Sequence, residues 1–273
     1  LTILGTMQVT SLYAGAIGTR TIFASSLAEA NTFDIKIGAA VGISLSGSAT
    51  DTVSISGAVK TIDMTGMACI FSPGTPTVYG NYTIPAAGGT VSASANVTTF
   101  ASTNATARTI TISRVIDYPL SFSGIGGTFN LGGDLTTGST RTVTLTGGTL
   151  TLNGFSLSTG IFASTGTSAR AIAFGSTSIT LSSTVAATTV LSMADATGFT
   201  LSGTGSFVTL MGVAKTFVFG TTAGSATNAP NLSFLGGSAI PTFTTNSWFN
   251  TLDFSGTTSM PAATTVFVST LYL

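Results

Sequence analysis

The sequence predicts an all-β chain folded as a β-solenoid, parallel β-helix-like, with short strands wound in coils of about 20 residues. Three observations lead there. A small strand-and-turn motif recurs along the chain, related blocks stand 20 residues apart, and no long stretch carries a helical period.

The motif is apolar, any residue, apolar, Ser or Thr, then Gly or Ser. It occurs as Ile43-Ser44-Leu45-Ser46-Gly47, Val53-Ser54-Ile55-Ser56-Gly57 and Leu120-Ser121-Phe122-Ser123-Gly124. It returns as Val143-Thr144-Leu145-Thr146-Gly147, Phe199-Thr200-Leu201-Ser202-Gly203 and Leu252-Asp253-Phe254-Ser255-Gly256. Alternation with a period of two places both apolar side chains on one strand face, and the glycine suits a tight corner.

Spacing suggests how the strands stack. Ile179-Thr180-Leu181-Ser182 precedes Phe199-Thr200-Leu201-Ser202 by 20 residues, as Leu232-Ser233-Phe234 precedes Leu252-Asp253-Phe254. One coil of two or three strands fits that length, and such a repeat buries its apolar face only against its neighbours. Leu181 with Leu201, and Phe234 with Phe254, are therefore expected to stack inward in adjacent coils. At a strand spacing of about 4.8 Å, some 13 coils (roughly) would form a rod near ~60 Å long.

A second motif sets a cation just before a strand: Arg20-Thr21-Ile22, Lys60-Thr61-Ile62, Arg108-Thr109-Ile110, Arg141-Thr142-Val143, Arg170-Ala171-Ile172 and Lys215-Thr216-Phe217. These are six of the chain's eight basic residues. Two copies match at greater length: Phe100-Ala101-Ser102-Thr103 leads to Arg108, and Phe162-Ala163-Ser164-Thr165 to Arg170, with eight residues from Phe to Arg each time. The six cations are expected at equivalent corners, heads on solvent or carbonyls and stems over apolar surface.

Helix is not expected, because Thr, Ser, Gly and Val are poor helix formers; Leu27-Ala28-Glu29-Ala30 offers one turn at most. Residues 1–273 read as one continuous β-repeat segment of a longer chain. Pro73, Pro76 and Pro85, with Gly74, Gly80, Gly88 and Gly89, mark a loop or kink at 72–90. Tandem β-sandwich modules are the alternative architecture, but Trp248 is the sole Trp, where such modules usually bury one each.

Composition excludes several functions. Charged residues make up 6% of the chain, and eight cations balance eight acids, so no field draws nucleic acid or an anionic membrane. Mean hydropathy is +0.56, yet Gly, Ser and Thr interrupt every apolar run short of the ~18 residues of a membrane-spanning helix. One Trp and five Tyr are few for the aromatic girdles of a membrane barrel. The single cysteine, Cys69, reads as a small buried hydrophobe.

Catalytic and metal chemistry find little support. The chain has no histidine, the usual general base and zinc ligand. Its acids, Glu29, Asp34, Asp51, Asp63, Asp117, Asp134, Asp195 and Asp253, are isolated in sequence. Asp117 and Asp134 stand close enough to stack across a coil, but the plainer reading is corner residues bonding their own backbone. No enzyme activity and no cofactor or metal are expected. Asn81, Asn96, Asn104 and Asn231 fit the glycosylation pattern, at a frequency that chance supplies in a chain so rich in Ser and Thr.

The blocks Thr19-Arg20-Thr21-Ile22, Glu29-Ala30-Asn31-Thr32-Phe33 and Lys215-Thr216-Phe217 carry a resemblance, as do Asn231-Leu232-Ser233-Phe234 and Phe249-Asn250-Thr251-Leu252-Asp253-Phe254. Through degenerate motifs covering most of its length, the chain resembles the Gly/Ser/Thr-rich repeat proteins of tailed bacteriophages. Adhesin repeats share much of this vocabulary. The resemblance implies a structural or receptor-contacting part of a phage fibre or virion appendage, at the virion surface or extracellular. The alternative is the stalk of a bacterial surface adhesin or extracellular filament. Partners would be other virion proteins or a host-surface glycan or protein.

Three late segments are apolar on both strand faces: Phe207-Val208-Thr209-Leu210-Met211, Phe217-Val218-Phe219 and Val266-Phe267-Val268. Each must turn at least one large apolar side chain outward. Phe207, Leu210, Met211, Phe217, Val218, Phe219, Val266, Phe267 and Val268 are therefore the candidate assembly interface, with a homotrimer as the expected product.

Overall fold

The computed structural model describes residues 52–67, 69–220, 229–244, 246–256 and 266–273, together with the backbone of two earlier strands, Thr19–Ala24 and Ile35–Lys36. It is a parallel β-solenoid of about nine turns with coils of about 22 residues. Among the described residues three parallel sheets run along it. The first has eleven strands, on a path from Thr19–Ala24 to Thr242–Phe243; the second has eight, from Ile35–Lys36 to Phe199–Gly203; the third has seven, from Leu135–Thr136 to Val266–Tyr272.

A representative coil visits the three in turn through Thr142–Leu145, Gly148–Thr151 and Leu157–Thr159. Each of these pairs in parallel with its counterpart in the next coil, Ile161–Ala163, Arg170–Gly175 and Ile179–Leu181. No helix occurs among the described residues; Leu27–Ala30 lies outside them.

The alternation seen in the sequence is realised strand by strand. In Thr142–Leu145 the two threonines face outward while Val143 and Leu145 are buried. Val53, Ile55, Leu120, Phe122 and Phe199 are likewise core residues. Parallel in-register pairing puts like side chains above one another, so Phe100 stacks on its partner Phe122 with centroids 4.9 Å apart. Phe234 stacks on Phe254 as expected, at 4.6 Å and 10° between ring planes. Each buried Phe contributes roughly 1.5–3 kcal/mol relative to exposure.

The motif glycines serve two geometries. Gly203 adopts φ 91° at the end of its strand, which only glycine does without strain. Gly124 needs no unusual φ, but a Cβ there would lie 1.9 Å from the Ser102 carbonyl oxygen of the previous coil.

Two sequence expectations are corrected. Leu181 and Leu201 do not stack. Leu181 belongs to the third sheet and pairs with Thr209, whereas Leu201 belongs to the second and pairs with Ile172. The true period is irregular, from 18 residues between Thr52 and Ile70 to 33 between Thr19 and Thr52. A 20-residue match can thus carry one strand to a different side of the coil, and longer coils give fewer turns than the 13 anticipated.

The second correction concerns the proline-rich stretch. Ile70–Val78 is a nine-residue strand that includes Pro73 and Pro76 and pairs with Thr52–Val59. Proline has no N–H for the ladder, and the register slips once, opposite Ile55 to Gly57, between the two prolines. Ser56 Oγ accepts the Thr75 N–H there at 3.2 Å. The turn after Tyr82–Ile84 is held by Arg114, whose guanidinium donates to the carbonyls of Pro85 (2.6 Å), Gly88 (2.9 Å) and Gly89 (3.2 Å).

Candidate functional site

The nine candidate interface residues separate by face. Phe207, Met211, Phe217 and Phe219 are fully buried. Phe207 packs on Phe162 and Phe174, Phe217 on Phe234 and Phe243, and Phe219 on Phe199 and Phe249. They are core, because their strands turn the alternate residue outward. Val218 is that outward residue on the first sheet, half-buried beside Ser192. Leu210 is exposed on the third sheet, paired with an equally exposed residue the sequence reading passed over, Leu235. Val266 and Val268 lie in register with the inward-facing Ser247 and Phe249 and pack against the edge of the core, whereas Phe267 stacks outside on Trp248 at 4.1 Å. The nine therefore do not form one patch. What remains at the surface is a Leu210–Leu235 pair, a Trp248–Phe267 pair and an isolated Val218.

The cations occupy two kinds of corner rather than one. Lys60, Arg108 and Arg170 precede or begin strands of the second sheet, while Arg141 and Lys215 do so in the first. Arg20 lies in a first-sheet strand, its side chain outside the described residues. The long match around Phe100 and Phe162 is a real structural repeat. Arg108 Nε donates to Ser102 Oγ at 3.2 Å, and Arg170 Nε to Ser164 Oγ at 2.8 Å. Lys215 follows the same rule from a different corner, donating to Thr209 Oγ1 at 3.3 Å. A hydroxyl six residues before the cation was the readable signal, and the sequence analysis missed it.

Two of these cations are buried. Arg170 donates to the carbonyls of Gly166 (2.6 Å), Thr197 (2.7 Å), Ser168 (3.1 Å), Ser164 (3.3 Å) and Asp195, and its guanidinium lies over the Phe199 ring. Lys215 Nζ donates to the carbonyls of Leu181 (3.3 Å) and Leu210. Burial pushes the Lys215 ammonium down to about 8 and lowers Arg170 from its ordinary value. Arg141 is ion-paired with Asp117, which holds that carboxyl below the usual range.

The acids behave mostly as corner residues. Asp63, Asp195 and Asp253 each accept the backbone N–H two residues on, from Thr65, Thr197 and Ser255, all at 2.9 Å. Asp134 reaches the next coil, accepting the Ser156 N–H and hydroxyl. Asp117 and Asp134 thus take different partners and are not a carboxylate pair. Glu29, Asp34 and Asp51 lie outside the described residues. Among the described residues no group of three or more His, Cys, Asp or Glu gathers where a metal could bind.

The four sequon asparagines are engaged in the fold. Asn81 and Asn104 accept the N–H groups of Thr109 and Thr106, Asn96 donates to the Pro73 carbonyl, and Asn231 accepts from Asn250. Cys69 is buried. One polar cluster sits inside the core, where the Tyr82 and Tyr118 hydroxyls meet at 2.9 Å.

Fold and corners together define a parallel β-solenoid in which most described charged groups bond the chain's own backbone and hydroxyls. No family model, curated protein or solved structure matches the chain.

Proposed function

We propose that the chain is a non-catalytic, rod-forming segment of a bacteriophage fibre or virion-surface appendage, acting as spacer or receptor-contacting shaft. The observation that carries this reading is the single apolar core cluster that runs through the described coils beneath outer faces rich in Ser, Thr and Ala. Coil upon coil, the side chains that could recognise a small molecule are instead used to close corners. A continuous core joined by parallel ladders along the axis suits a load-bearing element. The dispersed, self-bonded acids support a role without chemistry, and the exposed Leu210–Leu235 pair and the exposed Phe267, stacked on the half-buried Trp248, support self-association, with a trimer proposed.

Immunogold electron microscopy with antibodies against the chain, on particles and cells from its source, tests this. Label on particle appendages is the expected result. Label on cell-surface filaments would instead favour the stalk of a bacterial adhesin, and label confined to the cytoplasm would overturn both.

A further inference from the structure

Asn153 and Gly154 form the tip of the corner that joins the second-sheet strand Gly148–Thr151 to the third-sheet strand Leu157–Thr159. Both residues are exposed, and both take the left-handed backbone, at φ 54° and 85°. The Phe155 N–H donates to the Leu152 carbonyl at 2.9 Å and closes the turn over them. Two left-handed residues in succession make the turn that Asn-Gly favours most. Of the chain's ten asparagines, Asn153 alone is followed by glycine.

The same pair has a chemistry of its own. Union of the Asn153 carboxamide carbon with the Gly154 nitrogen closes an unstrained five-membered ring. A glycine nitrogen is the least hindered backbone nucleophile, having no Cβ beside it. The space is open as well, for a Cβ built at Gly154 would meet nothing within 4 Å. Among the described residues the Gly154 N–H has no hydrogen-bond partner. Two described bonds steady the segment against the swing that brings nitrogen to carbon. They are the turn closure from Phe155 and a long bond, 3.3 Å, from Asn153 Nδ2 to the Leu131 carbonyl of the previous coil. Asn246 makes the contrast. It too has a positive φ, at 67°, but its neighbour Ser247 is buried and donates its N–H to the Thr244 carbonyl.

We propose that Asn153 is a self-modifying site, deamidated through a succinimide that it forms with Gly154. The Gly154 nitrogen gives its proton to hydroxide and attacks Asn153 Cγ. The Cγ–Nδ2 bond breaks, and Nδ2 leaves as ammonia. Water then opens the ring at either carbonyl, leaving an aspartyl or an isoaspartyl residue at position 153. No oxidant, reductant or enzyme takes part. The product carries a carboxylate where an amide had donated to the Leu131 carbonyl, so acceptor faces acceptor and that link between coils is lost. It also adds a negative charge to the corner that already holds Asp134, whose carboxylate accepts from Ser156 of the next coil. Ageing therefore loosens this corner, whatever the rod is attached to.

Mass spectrometry tests this on the folded chain, kept for weeks in mildly alkaline buffer and then digested with trypsin. The peptide Thr142–Arg170 holds Asn153 as its only amide side chain, so an amide-to-acid mass gain there comes from no other residue. The expected result is that gain, split between two chromatographic species, rising with pH and outpacing the peptides that hold the other asparagines. Asn153→Gln, whose longer side chain cannot close the same ring, should lose the gain. A wild-type peptide left unmodified, or modified no faster than the others, would overturn the site. So would a gain undiminished in Asn153→Gln. If that variant fails to fold, the wild-type peptide alone decides.

Discussion

Ser164 and Ser102 show how a single hydroxyl anchors a cation at a corner. Ser164 donates to the Leu145 carbonyl while accepting from Arg170 Nε, so it links strand, corner and cation. Ser164→Ala would leave Arg170 Nε without a partner in a dry site, at a cost of about 1.5–3 kcal/mol. Ser102→Ala should cost less, since Arg108 is only half-buried. Urea denaturation of the two variants checks the order. Lys215 and the tyrosine pair set the response to alkali. The folded-state pKa of Lys215 lies near 8, below its ordinary 10.5, so between those values the unfolded chain binds the extra proton and stability rises with pH. Tyr82 and Tyr118 act in the opposite sense: their folded values lie above the ordinary 10.0. Their contribution is intact below about pH 10 and is lost as pH climbs beyond it. Denaturation midpoints should therefore rise from pH 8 toward 10 and then fall. Lys215→Met should flatten the rise and Tyr118→Phe should reduce the fall; unchanged profiles would contradict both assignments.

The strand is where sequence and structure agree best, because one period-two pattern sorts side chains between a dry interior and water. Adjacent residues of Asn231–Leu235 make the contrast testable. Phe234 is buried in a stack with Phe254, while its neighbour Ser233 faces outward. Phe234→Ala should cost about 3–5 kcal/mol through lost burial and the cavity left behind. Ser233→Ala should stay within about 0.5 kcal/mol. Equal losses at the two positions, measured by chemical denaturation, would mean that this strand does not face the core as described. The same logic explains Ile70–Val78, most of which fell within the loop or kink expected at 72–90 because proline breaks most strands. A single register slip absorbs the two prolines, and no local pattern announces that a neighbouring strand will supply it.

At the scale of the whole molecule, the proposed role depends on assembly. The exposed Leu210–Leu235 pair and the exposed Phe267, stacked on the half-buried Trp248, belong to a chain with only 6% charged residues to oppose association. Sedimentation at high concentration should show a trimer, and Leu210→Glu with Leu235→Glu should shift it toward monomer without loss of the far-ultraviolet β signal. A wild-type chain that stays monomeric would argue against an intermolecular role for these residues. It would leave the rod itself unaffected, because the core of each coil is completed by neighbouring coils of the same chain.

Local pattern was enough to read the all-β class, the inward residues of motif strands such as Thr142–Leu145, the stacking of Phe234 on Phe254 and the kinship of the Arg108 and Arg170 corners. All of these rest on side-chain alternation or short-range spacing, which survive in a linear string. Which sheet a strand joins was not legible. Coil length varies by as much as fifteen residues between neighbours, from 33 to 18, so equal spacing does not mean equal position, as Leu181 and Leu201 demonstrate. The candidate interface failed for a related reason. Alternation requires that one face of Phe217–Val218–Phe219 be outward, but the winding of the coil sends Val218 to one sheet and Leu210 to another. The meeting of Tyr82 and Tyr118 was equally hidden, since residues 36 positions apart become neighbours only once the chain has closed a turn around its core.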